Sequence, residues 1–123
     1  MAKILIIDDD VQTTKLLESI VTFNGHQATS VNNSMSAVEA ANYAAPDLIL
    51  LDIMMPGING IQLCKIFNST PDLKHIPIII VSALNDVGSQ KDAFNAGAKD
   101  FLTKPVRSKD LADKIKKLMS PTN

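Results

Sequence analysis

Tryptophan is absent, tyrosine occurs once, and aromatic residues make up only 4% of the 123 positions. The core must therefore be aliphatic. A single cysteine, Cys64, excludes an internal disulfide framework, and it reads as a small core residue. The two histidines, His26 and His75, have no metal-ligand spacing and read as surface residues. The formal net charge is −1, so direct contact with nucleic acid has no electrostatic support. No apolar run approaches the ~20 residues of a membrane span. The run after Met1-Ala2-Lys3 is too short for a secretory signal. The expectation is a cytoplasmic protein without membrane contact, folded as one domain over residues 1–123.

What the chain does have is a set of short apolar runs, each ending in polar residues. Residues 4–7 precede Asp8-Asp9-Asp10, residues 48–51 precede Asp52, residues 78–81 precede Ser82, and Phe101-Leu102 precede Thr103-Lys104-Pro105. Such runs read as strands buried on both faces of a parallel sheet. A weaker, alternating run at 27–31 reads as an edge strand.

Helical patterns fill the intervals. Asp10 can cap a first helix that buries Leu16, Leu17, Ile20 and Val21 and stops at Asn24-Gly25. Ser34 can cap a second, with Met35, Val38 and Ala41 inward, ending before Pro46. Ile61, Cys64 and Phe67 mark a third. A polar fourth runs from Asp86 to Ala96 and ends at Gly97. A fifth is capped by Ser108 and buries Leu111, Ile115 and Leu118, with Lys114, Lys116 and Lys117 near its negative end. Ser120 to Asn123 reads as a frayed tail. Five strands alternating with five helices predict an α/β fold, a parallel sheet with helices on both faces.

In such sheets ligands bind beyond the carboxyl ends of the strands. Asp8, Asp9, Asp52, Ser82 and Lys104 would converge there. Each has an ordinary reading alone: the acids as a solvated turn, Ser82 as a turn residue, Lys104-Pro105 as a surface loop. Together they suit other chemistry. Clustered carboxylates repel, and a hard cation such as Mg²⁺ relieves the repulsion. Lysine offers a point charge to an anion, and aspartate is a competent nucleophile toward phosphoryl groups. Met54 and Met55 read as loop packing, with the Met54 carbonyl free to face a cation. Gly57-x-x-Gly60 reads as a turn, not a phosphate loop.

The segments Ile-Leu-Ile-Ile-Asp8-Asp9-Asp10, Pro46-Asp-Leu-Ile-Leu-Leu-Asp52-Ile-Met-Met-Pro56-Gly57, Ile-Ile-Val-Ser82-Ala83 and Gly97-Ala-Lys-Asp-Phe101-Leu-Thr-Lys104-Pro105 resemble the receiver domain of two-component response regulators. Ser82, Phe101 and Lys104 lie 30, 49 and 52 residues after Asp52, which fits the family pattern. The resemblance runs from Lys3 to about Met119. It implies a doubly wound, flavodoxin-like sheet of strand order 2-1-3-4-5 flanked by five helices. It implies Asp52 as phosphoacceptor and Asp8, Asp9, Asp52 and the Met54 carbonyl as Mg²⁺ ligands. It further implies Lys104 as phosphate partner, Ser82 and Phe101 as switch residues, and a cis Lys104-Pro105 bond. Partners implied are a sensor histidine kinase or phosphotransfer protein, a downstream protein on the helix 4–strand 5–helix 5 face, and a phosphorylation-linked homodimer.

The positions two after Asp52 and two after Ser82 are apolar, Met54 and Leu84. Slow hydrolysis of the phosphorylated form is the expectation. Two other functions share parts of this pattern. A haloacid-dehalogenase-like phosphatase needs a second acid at position 54, where methionine stands. A phosphorylation-independent adaptor would not need the complete set of acids, hydroxyl and lysine.

Overall fold

A computed structural model describes residues 1–120, so the tail beyond Ser120 lies outside the described residues. Strand β1 (Lys3–Ile7) is followed by α1 (Val11–Phe23), β2 (Gln27–Val31), a 3₁₀ turn (Ser34–Ser36) leading into α2 (Ala37–Ala44), and β3 (Leu48–Leu51). Then come α3 (Gly60–Ser69), β4 (Ile78–Ser82), α4 (Val87–Asn95), β5 (Asp100–Thr103) and α5 (Ser108–Met119). All strands are parallel, in the order β2-β1-β3-β4-β5. Ile7 lies opposite Leu51, Leu51 opposite Ile80, and Ile80 opposite Phe101.

The alternation of side chains along each strand sorts the apolar residues into two layers. Leu5, Ile7, Ile49, Leu51, Ile78 and Ile80 pack with Ala37 and Ala41 of α2, Leu63, Cys64 and Phe67 of α3, and Ala93 of α4. Ile4, Ile6, Leu48, Leu50, Ile79 and Val81 pack with Leu17, Ile20 and Val21 of α1 and Leu111 and Ile115 of α5. Because β1, β3 and β4 are covered on both sides, their sequences read as unbroken apolar runs. Edge strand β2 is only partly covered and alternates. Cys64 is fully buried, and burial pushes its thiol up to about 11.

Several sequence expectations need correction. Leu16 is 51% exposed, and Thr14 takes the inward position with Leu17, Ile20 and Val21. Leu16 lies one residue, hence about 100°, off that buried stripe. Met35 also faces solvent, and Ala37 and Ala41 form the buried face of α2. The cap of the 3₁₀ turn is Asn33, whose side chain accepts the Met35 amide. Ser34 is buried and bonded elsewhere. Ser108 is the first residue of α5, with Arg107 in the cap position and no side-chain cap. Met55 is buried, as loop packing requires, but Met54 is 61% exposed. His26 is half-buried, its Nδ1 accepting the Ala2 amide at 2.9 Å, whereas His75 is exposed. No helix among the described residues is long and apolar enough to cross a membrane.

Candidate functional site

The strand register sets the site. The Asp52 amide donates to the Ile7 carbonyl at 3.0 Å and the Asp8 amide to the Val31 carbonyl at 3.1 Å, so the ladder continues one residue past each strand. Asp8 and Asp52 therefore emerge side by side at the carboxyl edge. Asp8 is fixed on several sides. One carboxylate oxygen accepts the Asp10 amide at 2.9 Å, the other accepts Lys104 Nζ at 2.8 Å, and its carbonyl accepts Asn32 Nδ2 at 2.9 Å. Asn32 also donates to the buried Thr14 hydroxyl, tying the β2–α2 connection to α1.

One carboxylate oxygen from each of Asp8, Asp9 and Asp52 lies within 4.8 Å of the others. Asp8 and Asp52 are buried, and Asp9 is exposed. Lys104 Nζ is 3.6 Å from Asp52 as well as 2.8 Å from Asp8. Burial, reinforced by the charge of Asp8, pushes the Asp52 carboxyl up to about 6, with Lys104 pulling the other way. Burial works against the Lys104 ammonium, but the bond to Asp8 and the charges of Asp52 and Asp8 prevail and hold it above the usual lysine value. Three carboxylates against one ammonium leave an excess of negative charge among oxygen donors alone. That donor set suits a hard divalent cation.

Lys104 is delivered by β5. Its amide donates to the Ser82 carbonyl at 2.9 Å, and the Lys104-Pro105 peptide is cis. Ser82 is fully buried at the end of β4. Its hydroxyl accepts the Leu84 amide at 3.2 Å and, among the described residues, bonds to none of the three carboxylates. Phe101 is half-buried against the apolar layer that also contacts Leu84. The edge thus brings Asp8, Asp9, Asp52 and Lys104 together; Ser82 ends β4 at the same edge, and Phe101 lies within β5. Asp10 caps α1 by accepting from the Gln12 amide and the Thr13 hydroxyl, and the Thr13 bond chiefly holds its carboxyl below the usual value. Asp10→Ala is expected to lower Tm modestly and leave Mg²⁺ binding unchanged, measured by thermal unfolding and metal titration.

Sequence reasoning missed Asn32, Thr14 and Gly60. The first two are ordinary polar residues with no spacing signal. Gly60 was legible as a turn, but not as the residue against which the Asp52 backbone packs.

The family model for the response regulator receiver domain matches residues 4–116. The chain belongs to that family. It is 34% identical over 117 residues to the response regulator PleD of Caulobacter vibrioides, covering 95% of this chain and 26% of PleD. It is 32% identical over 120 residues to the response regulator MprA of Mycobacterium leprae, covering 98% of this chain and 52% of MprA. The receiver thus spans a quarter to a half of the length of these relatives. Among solved structures, the signal receiver domain of a signal transduction histidine kinase from Syntrophus aciditrophicus superposes with a TM-score of 0.88. It is 33% identical, over 100% of this chain and 96% of that one. Fold and strand order are those of the receiver family, and the role is a module of two-component signalling.

Proposed function

We propose that this receiver accepts a phosphoryl group on Asp52 from the phosphohistidine of a sensor kinase or phosphotransfer protein. The observation that carries the reading is the convergence of Asp8, Asp9 and Asp52 within 4.8 Å, with Lys104 Nζ between Asp8 and Asp52. Asp8, Asp9, Asp52 and the Met54 carbonyl would hold Mg²⁺. When bound, Mg²⁺ supplies charge neutralisation for the phosphoryl oxygens. An Asp52 Oδ–phosphorus bond forms as the phosphorus–nitrogen bond of the donor breaks. The electron pair goes to the leaving imidazole, which takes a proton from solvent. No general base is needed, because Asp52 attacks as the ionised carboxylate. Lys104 leaves Asp8 for the new phosphoryl group.

The Ser82 hydroxyl then turns to donate to a phosphoryl oxygen, and Phe101 moves into the space released. The face made by α4, β5 and α5 changes population between two states and meets a downstream protein or a second receiver. Only Ala93 of α4 is buried, which suits a mobile element. Lys114 of α5 is tied to Asp100 of β5 at 2.9 Å, which links those two elements of the face. The receiver turns over no separate substrate and touches no nucleic acid itself. The complete acidic set with its lysine favours this reading over a phosphorylation-independent adaptor. Met54 in place of a second acid disfavours a phosphatase.

The test is incubation with Mg²⁺ and a small acyl-phosphate donor, followed by mass analysis of the peptide containing Asp52. One phosphoryl group on that peptide is the expected result, and an unmodified peptide overturns the assignment. Met54 and Leu84 offer no polar group to orient an attacking water, so the label should survive for minutes or longer at neutral pH. Loss within seconds would show that water reaches the acyl phosphate unaided.

A further inference from the structure

The connection between β3 and α3, residues 53–59, follows directly on Asp52 and carries Met54. Its base is held by the sheet edge: the Gly60 amide donates to the Ile53 carbonyl at 2.8 Å, and Ile53 and Met55 are buried. Its far side is held by one residue from a different connection. The Ser34 hydroxyl, in the β2–α2 turn, donates to the Pro56 carbonyl at 2.9 Å and accepts the Ile58 amide at 3.2 Å. Gly57 lies between those two groups at φ +82, in the left-handed region that lets the chain reverse so that both face a single hydroxyl. Ser34 is 2% exposed, and the Met35 thioether would lie 3.5 Å from a Cβ at Gly57. Removing the hydroxyl would leave a carbonyl and an amide without these partners, a loss that favours a different loop shape.

We propose that Ser34 is a positioning residue for the cation site. By clamping Pro56 and Ile58 it sets the shape of loop 53–59, and so where the Met54 carbonyl stands relative to the three carboxylates. This rests on the reading of that carbonyl as a ligand. Ser34 forms no hydrogen bond with Asp8, Asp9 or Asp52 among the described residues, so its influence runs through the loop backbone. Outer partners that orient metal ligands commonly change affinity tenfold or more when lost.

The test is a Mg²⁺ titration of the full chain followed by backbone amide NMR, comparing wild type, Ser34→Ala and Asn33→Ala. Asn33 caps the same turn, and its side chain makes no hydrogen bond to the loop among the described residues, so its variant controls for loss of stability in the turn. Ser34→Ala is expected to bind Mg²⁺ about tenfold more weakly, and Asn33→Ala as wild type. Equal affinity for Ser34→Ala and wild type overturns the proposal, and so does equal weakening in both variants. Should Ser34→Ala not fold, hydrogen exchange on the wild type decides: Mg²⁺ is expected to slow exchange of the Ile58 amide, and unchanged exchange with Mg²⁺ bound overturns the clamp. A wild type that binds no Mg²⁺ overturns the reading of the site itself, and the role of Ser34 with it.

Discussion

Asp52→Asn is expected to abolish phosphoryl labelling while making the metal-free protein more stable at neutral pH. Asp52 has a folded-state carboxyl raised from 3.8 to about 6, mainly by burial and then by the charge of Asp8. A raised carboxyl binds its proton more tightly in the folded than in the unfolded chain. Its contribution to stability is therefore fully present below pH ~4 and is lost as pH rises through 6. The shift corresponds to a ceiling of about 3 kcal/mol at pH 7.5. In chelator, urea midpoints of the wild type should fall from about pH 3.5 to about pH 7.5 relative to Asp52→Asn. The two proteins should converge at the acid end and separate by up to about 3 kcal/mol at the other. Added Mg²⁺ should restore the wild type more than the variant, because a ligand stabilises the state that binds it. Parallel pH profiles in chelator would show that Asp52 carries no such burden.

Among the glycine-to-alanine changes, Gly60→Ala should be the most damaging. A Cβ at Gly60 would stand 2.0 Å from the Asp52 carbonyl oxygen, 2.7 Å from the Asp52 carbonyl carbon and 2.7 Å from Ile53 Cα. All three atoms are backbone, so no side chain can swing away. Relief requires α3 to separate from the end of β3, which disrupts the Gly60–Ile53 hydrogen bond and displaces Asp52. A loss of about 3 kcal/mol or more is expected, a large share of the ~5–15 kcal/mol that keeps a domain folded. Gly88→Ala is the control. Its new Cβ would meet only the Asp86 carboxylate oxygen, at 3.2 Å, and the change should alter stability by no more than about 1 kcal/mol. Similar denaturation midpoints for the two variants would refute the argument from backbone contact.

Alternation and burial made the fold legible, because strands covered on both faces cannot hide their apolar runs. The convergence of Asp8, Asp9, Asp52 and Lys104 was legible for a related reason: each follows a strand, and parallel strands end at one edge. Where the reading failed, a local rule competed with tertiary demand. Serine is a good cap, yet Ser34 was drawn inward by two unpaired backbone groups of another loop, and Asn33 took the cap. Leucine favours burial, yet Leu16 lies off the stripe that Thr14 and Leu17 define. Contacts between distant connections, such as Ser34 with Pro56 or Asn32 with Asp8, leave no periodic trace in a sequence.

The sheet that divides the core into two layers also acts as a ruler. Adding or deleting one residue within β1 or β3 would exchange the residues of the two layers and at the same time carry Asp8 or Asp52 off the edge. Substitutions can be exchanged within a layer while the acids stay where they are. Changes of strand length cannot. Variation in this protein is thus free to rewrite side chains and is confined in how it counts them, and insertions belong in the connections at the amino ends of the strands, away from the carboxylates.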